Sequence, residues 1–168
     1  MVITKNHSNK VERMNKIGLG LDYNNICKDY NTVYLDRDNT DPATTQCMNK
    51  VMGWFNIFLP ELMEEFDYKL YRMTQDKIVP LKEIVKKRFF FYSLEKEILA
   101  QTFIFQKESI VFSSLSEWST HGEDSLLIQN DDEGEGVYFY FVENSELHKW
   151  LLEKLSNYSV DEIPFKEG

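Results

Sequence analysis

The chain predicts an α+β fold: a helical N-terminal half packed with a mainly antiparallel C-terminal sheet and a C-terminal helix. Three observations predict it. Apolar residues recur at three- and four-residue steps between Thr45 and Met73, aromatic and β-branched runs dominate from Phe89 to Val142, and an amphipathic segment follows Ser145. Helices, then strands, then a helix is the order of an α+β domain rather than of alternating βαβ units.

At 168 residues the chain fits one domain, 1–168, with the polar residues 1–15 as a flexible tail. Hydrophobic residues make up 42% of it, and twelve Phe, nine Tyr and three Trp supply enough apolar area to offset chain entropy without a metal or a disulfide. The first residues lack the apolar core of a secretory signal, and nothing approaches the roughly 18 apolar residues of a membrane span. A cytoplasmic location is expected, with Cys27 and Cys47 as reduced thiols. Two cysteines without a C-x-x-C or a nearby histidine pair also make a poor zinc site.

Taken in order, Ile17–Leu21 and Thr32–Leu35 read as short strands. From Thr45, residues Met48, Val51, Met52, Phe55, Phe58, Leu59, Leu62, Phe66, Leu70 and Met73 share one helical face, with Pro60 as a kink or the start of a second helix. A further helical fragment, Leu81–Arg88, follows Pro80. Strands are expected at Phe89–Ser93, Leu99–Gln106, Ile110–Ser113, Ser125–Gln129 and Val137–Val142. The last two form a hairpin across the loop Asn130–Gly136. Within the final strand the period of two puts Val137, Phe139 and Phe141 on one face and Tyr138, Tyr140 and Val142 on the other; Phe139 and Phe141 are expected inside. Ser145 suits the N-cap of a closing helix that buries Leu147, Trp150, Leu151, Leu155 and Tyr158.

Charge is the unusual feature. Between Lys107 and Lys149 there are ten acids and no Lys or Arg, which leaves 18 acids against 19 bases in the remainder of a chain of net charge −9. Such a concentration attracts cationic partners and opposes direct contact with nucleic acid, whose phosphates need Lys and Arg. Glu123, Asp124, Asp131, Asp132, Glu133 and Glu135 are the expected attracting groups, with Trp118 or Tyr140 as a desolvated anchor beside them.

Catalytic motifs are sparse. Val33-Tyr-Leu-Asp-Arg-Asp-Asn-Thr40, a short apolar run followed by Asp-x-Asp-x-Thr, resembles the first motif of the haloacid dehalogenase-like phosphatases. The resemblance covers about eight residues and implies Asp36 as nucleophile and Asp38 as general acid–base, with Mg2+. The candidates for that family's later motifs, Ser113 and Asp131-Asp132, lie 18 residues apart with no Lys between them and no room for the intervening helix and strand. Asp36, Asp38 and Asp41 do not make an EF-hand, because Asp41 and Cys47 stand where the glycine and the bidentate glutamate are needed. Ile17-Gly-Leu-Gly-Leu21 lacks the third glycine of a dinucleotide fingerprint. His7, His121 and His148 are the only histidines; His121 stands among acids in a loop, and His148 in the first turn of the last helix, at a surface position.

The expectation is a non-enzymatic protein without metal or cofactor that neutralises a basic protein partner, most simply an immunity protein cognate to a bacterial nuclease-type toxin. The alternatives are an anti-defence or nucleic-acid-mimic protein, which shares the electrostatics, and the phosphatase using Asp36 and Asp38. Neither direct nucleic-acid binding nor membrane insertion is expected.

Overall fold

The computed structural model describes residues 15–28, 42–74, 77–80, 102–107, 117–118, 125–130 and 136–165. In chain order its elements are strand β1 (Lys16–Asp22), a 3-10 turn (Tyr23–Asn25), helix α1 (Pro42–Phe66), β2 (Tyr68–Thr74), β3 (Lys77–Pro80), β4 (Thr102–Lys107), β5 (Ser125–Asn130), β6 (Gly136–Val142), helix α2 (Glu146–Lys154) and β7 (Val160–Pro164). The strands make one seven-stranded sheet in the order β3-β2-β4-β5-β6-β1-β7, and every neighbouring pair is antiparallel.

The α+β class is as the sequence predicts, but its N-terminal part is not mainly helical. Among the described residues α1 is the only long helix there, and β1, β2 and β3 share that half of the chain. The expected helices and strands at 32–35, 81–88, 89–93 and 110–113 lie outside the described residues.

Helix α1 starts with Pro42, where a missing N–H and a fixed φ cost nothing. It neither stops nor divides at Pro60. That residue and Asn56, whose carbonyl loses its partner, are both exposed, so water can satisfy the carbonyl. The helix ends earlier than the periodicity suggests. Asp67 takes a left-handed φ of 54°, as residues just past a helix end often do, and Tyr68–Thr74 then runs as a strand with Tyr68 and Leu70 buried. Leu70 continued the helical spacing by coincidence; its real period is two, and it shares a buried face with Tyr68.

The hairpin reading of the C-terminal region holds. Leu127 pairs with Tyr140 and Asn130 with Val137, while the connecting residues 131–135 lie outside the described residues. Val137, Phe139 and Phe141 are buried toward the helices, whereas Tyr138 and Tyr140 are only half-buried. Helix α2 begins where expected: Ser145 Oγ accepts the His148 N–H at 3.1 Å. Strand β7 was not anticipated. It is short, carries Asp161 and Glu162 and ends in Pro164, features that suit an edge strand.

Both helices pack on one face of the sheet. The core there joins Leu19 and Leu21 of β1, Val51, Phe55, Phe58 and Leu62 of α1, Phe139 and Phe141 of β6, and Leu147 and Leu151 of α2. A smaller cluster on the opposite face holds Tyr71, Ile104, Trp118 and Leu127, flanked by Tyr140 and Phe165. The Asn25 side chain fastens the C-terminal strand: it accepts the Ser159 N–H at 3.0 Å and donates to the Asp22 and Ser159 carbonyls.

Cys27 and Cys47 are joined by a disulfide, with their Cα atoms 5.6 Å apart. This corrects the expectation of reduced thiols and removes the support those thiols lent to a cytoplasmic location. Among the described residues no helix is long and apolar enough to cross a membrane.

Gly18 pairs with Tyr140 on β6, whose ring lies over it. A Cβ at Gly18 would stand 2.6 Å from Tyr140 Cε1 and 2.7 Å from Ile163 Cγ1. Gly18→Ala should therefore lower unfolding free energy by about 1–3 kcal/mol in chemical denaturation, and the loss should shrink in a Tyr140→Ala background, where one of the two clashing groups is gone. Equal losses in both backgrounds would count against the packing described.

Candidate functional site

The acidic residues singled out in the sequence, Glu123, Asp124, Asp131, Asp132, Glu133 and Glu135, lie outside the described residues. The strands beside them still constrain the arrangement. Glu123 and Asp124 lead into the start of β5 at Ser125, whereas Asp131–Glu135 leave its end at Asn130. Those two ends are about 17 Å apart along a six-residue strand. One base-free stretch in the sequence thus enters the sheet at two separate ends.

Trp118 is fully buried. Its indole N–H donates to Ser125 Oγ at 2.6 Å, Phe165 meets its ring edge-on, and the Lys16 ammonium sits 4.5 Å from the ring centroid. The expected desolvated anchor is therefore already desolvated by the fold and offers no surface to a partner. Tyr140 is half-buried, packed against Gly18 and Phe165 and 6.3 Å from the Tyr138 ring. Burial raises its phenol pKa above the ordinary value near 10.

His148 is half-buried rather than a free surface group. Its Nδ1 accepts the Asn144 N–H at 2.9 Å and its ring lies tilted against Phe141, 4.8 Å between centroids. Asn144 itself takes a left-handed φ of 63°, which Asn tolerates better than most residues. The histidine thus builds the turn into α2. His7, His121, Asp36 and Asp38 lie outside the described residues. Among the described residues no three His, Cys, Asp or Glu side chains converge as metal ligands.

A second acidic constellation does come together, and sequence inspection missed it. Glu61, Glu64 and Glu65 on α1 line one shallow depression of about 390 Å3 with Trp150 and Lys154 of α2, and Glu65 lines a second of about 450 Å3 with Glu146, Trp150 and Glu153. The i, i+3 and i+4 spacing along α1 gathers its three carboxylates on one stripe. Trp150 is half-buried on an aromatic floor, 5.5 Å from Phe58 and 5.8 Å from Phe66. Five carboxylates meet two ammonium groups there. Lys154 Nζ lies 2.9 Å from Glu61 and 5.4 Å from the Trp150 centroid, and Lys149 lies 3.4 Å from Glu146. The hydrogen bond to Glu61 raises the Lys154 pKa. These glutamates come from segments about 80 residues apart, so no single window of the sequence shows the concentration; the signal available was the acidic stripe flanking the apolar face of α1. Chemically the groove suits a cationic side chain, with carboxylates for its charge and an indole face for its stem.

No protein-family model, curated protein or solved structure matches this chain.

Trp118→Ala should destabilise the fold by about 3–5 kcal/mol in denaturant unfolding, the usual cost of emptying a buried aromatic site; a loss below about 1 kcal/mol would show that the indole is not core. Tyr140 yields a second test. An unfolded tyrosine ionises near pH 10 and the folded Tyr140 at higher pH, so the native state holds more protons there and stability falls as pH rises past 10. Ultraviolet titration of the native protein should show a late phenolate component that Tyr140→Phe diminishes by one tyrosine; an unchanged late component in the variant would contradict it.

Proposed function

We propose that this is a non-enzymatic binding protein that neutralises a basic protein partner, acting as immunity and other inhibitor proteins do. The observation that carries the reading is the groove between α1 and α2, where five glutamates surround a half-buried tryptophan. Lys154 already rests between Glu61 and the Trp150 face, an internal example of the contact that a partner's Lys or Arg would make. The base-free stretch between Lys107 and Lys149 adds ten acids to the chain's negative charge. Together they would steer a cationic protein to the surface and oppose wrong, acidic partners.

A toxin that handles nucleic acid is one class with the required basic surface, since it must neutralise phosphates. An acidic inhibitor seated in its groove would exclude substrate without performing chemistry. The Asp131–Glu135 segment would then contribute chiefly to encounter, and the Trp150 groove to the bound state.

The test is kinetic. A partner cross-linked in its native host and identified should be basic, and its association should be measured against wild type, a Glu64→Lys/Glu65→Lys/Glu153→Lys variant and an Asp131→Lys/Asp132→Lys/Glu133→Lys variant. Each triple reversal should slow association by about tenfold or more at low salt and far less near 0.5 M, where the Debye length is roughly 4 Å. An acidic partner, or association rates indifferent to salt and to both reversals, would sink the reading.

A further inference from the structure

We propose that the Cys27–Cys47 bond is a permanent structural link and that the chain accordingly folds and works in an oxidising compartment. The two residues bracket the segment 29–41: Cys27 follows the 3-10 turn after β1, and Cys47 is the first buried side chain described on α1. Their Cα separation of 5.6 Å is that of an ordinary disulfide, so the backbone needs no movement to form it.

Burial decides between a permanent link and a redox switch. Cys27 is 9% exposed and Cys47 2%, and both belong to the core beneath the helices. Thiol–disulfide exchange requires an attacking thiolate to reach a sulfur, and here both half-cystines are buried, so a reductant gains access only through an opening of the fold. A bond sealed in this way does not cycle in the folded protein; it is made during folding. In that step both cysteines lose their thiol protons, one S–S bond forms, and two electrons pass to a disulfide-carrying oxidant whose own S–S bond becomes two thiols. Such oxidants act outside the reducing cytosol. The inference does not depend on the binding reading. If both hold, the basic partner is met in the same compartment, before it reaches any intracellular substrate.

The experiment takes the full chain in its native host, acid-quenched and alkylated with a maleimide-linked polyethylene glycol. Without reductant no adduct is expected, and two are expected after reduction under denaturing conditions. Two adducts on unreduced, freshly quenched material, or recovery of a thiol form from the cytosolic fraction, would overturn the proposal. For the purified protein, closing a loop of 20 residues should give a melting temperature about 6–12 °C above that of Cys27→Ser/Cys47→Ser. If the double variant fails to fold, reduced and alkylated wild type supplies the comparison. Equal melting temperatures would remove the structural role. Failure here leaves the kinetic test of the acidic groove untouched, and the reverse is also true.

Discussion

The sheet depends on where β1 is inserted. This strand from the N-terminal part of the chain lies between β6 and β7, and it pairs with β6 over seven residues, from Lys16 opposite Val142 to Asp22 opposite Gly136. Its register places Leu19 and Leu21 beside Phe139 and Val137 on the helix side. A slip of one residue would turn that set toward the other face and present Gly18 and Gly20 to the core. The glycines make the register specific from the opposite side too, because the Tyr138 and Tyr140 rings occupy the space where their side chains would stand. Everything packed above the sheet, including the approach of α2 to α1, inherits its position from this pairing.

Much of this was legible in the sequence, for identifiable reasons. In β6 the alternation Val-Tyr-Phe-Tyr-Phe-Val has one period only, and it assigned Phe139 and Phe141 to the core and the tyrosines to the half-exposed face. Ser145 marked the start of α2 because a hydroxyl there meets an N–H that the helix leaves over. The end of α1 was less legible. Leu70 satisfies helical spacing from Phe66 as well as it satisfies a strand with Tyr68, and the decision rests on a left-handed Asp67 that no periodicity encodes. Strand β7 escaped notice because Val-Asp-Glu-Ile-Pro has too few apolar residues to signal a strand, and it is held instead by its partner β1 and by the Asn25 amide. Composition spoke against the disulfide, since the chain has apolar surface enough to fold without one; the bond is a matter of two positions brought together by tertiary structure.

The candidate site shows a similar division. A linear count of charges found the base-free stretch, but a sheet disperses consecutive residues along its strands, and the two acidic runs around β5 enter it at opposite ends. Helices do the reverse. They collect residues three and four positions apart, so Glu61, Glu64 and Glu65 form a stripe, and packing sets it opposite Glu146 and Glu153. Trp118 shows the same limit from the other direction: an aromatic among acids looks like an interface anchor until the fold supplies Ser125, Lys16 and Phe165 as its neighbours.

The position of β1 also bears on how the molecule is made. Among the described strands its two neighbours come last in chain order, and the pairing of Leu21 with Val160 joins the first described strand to the last. A ribosome delivering this protein therefore releases β1 with both edges open, and the strand stays unpaired until β6 and then β7 emerge. Contacts of such long sequence separation pay their loop-closure cost before they return any stabilisation. The nascent chain thus carries an exposed strand while everything between β1 and β6 is synthesised, the interval in which a holding chaperone would have most to do.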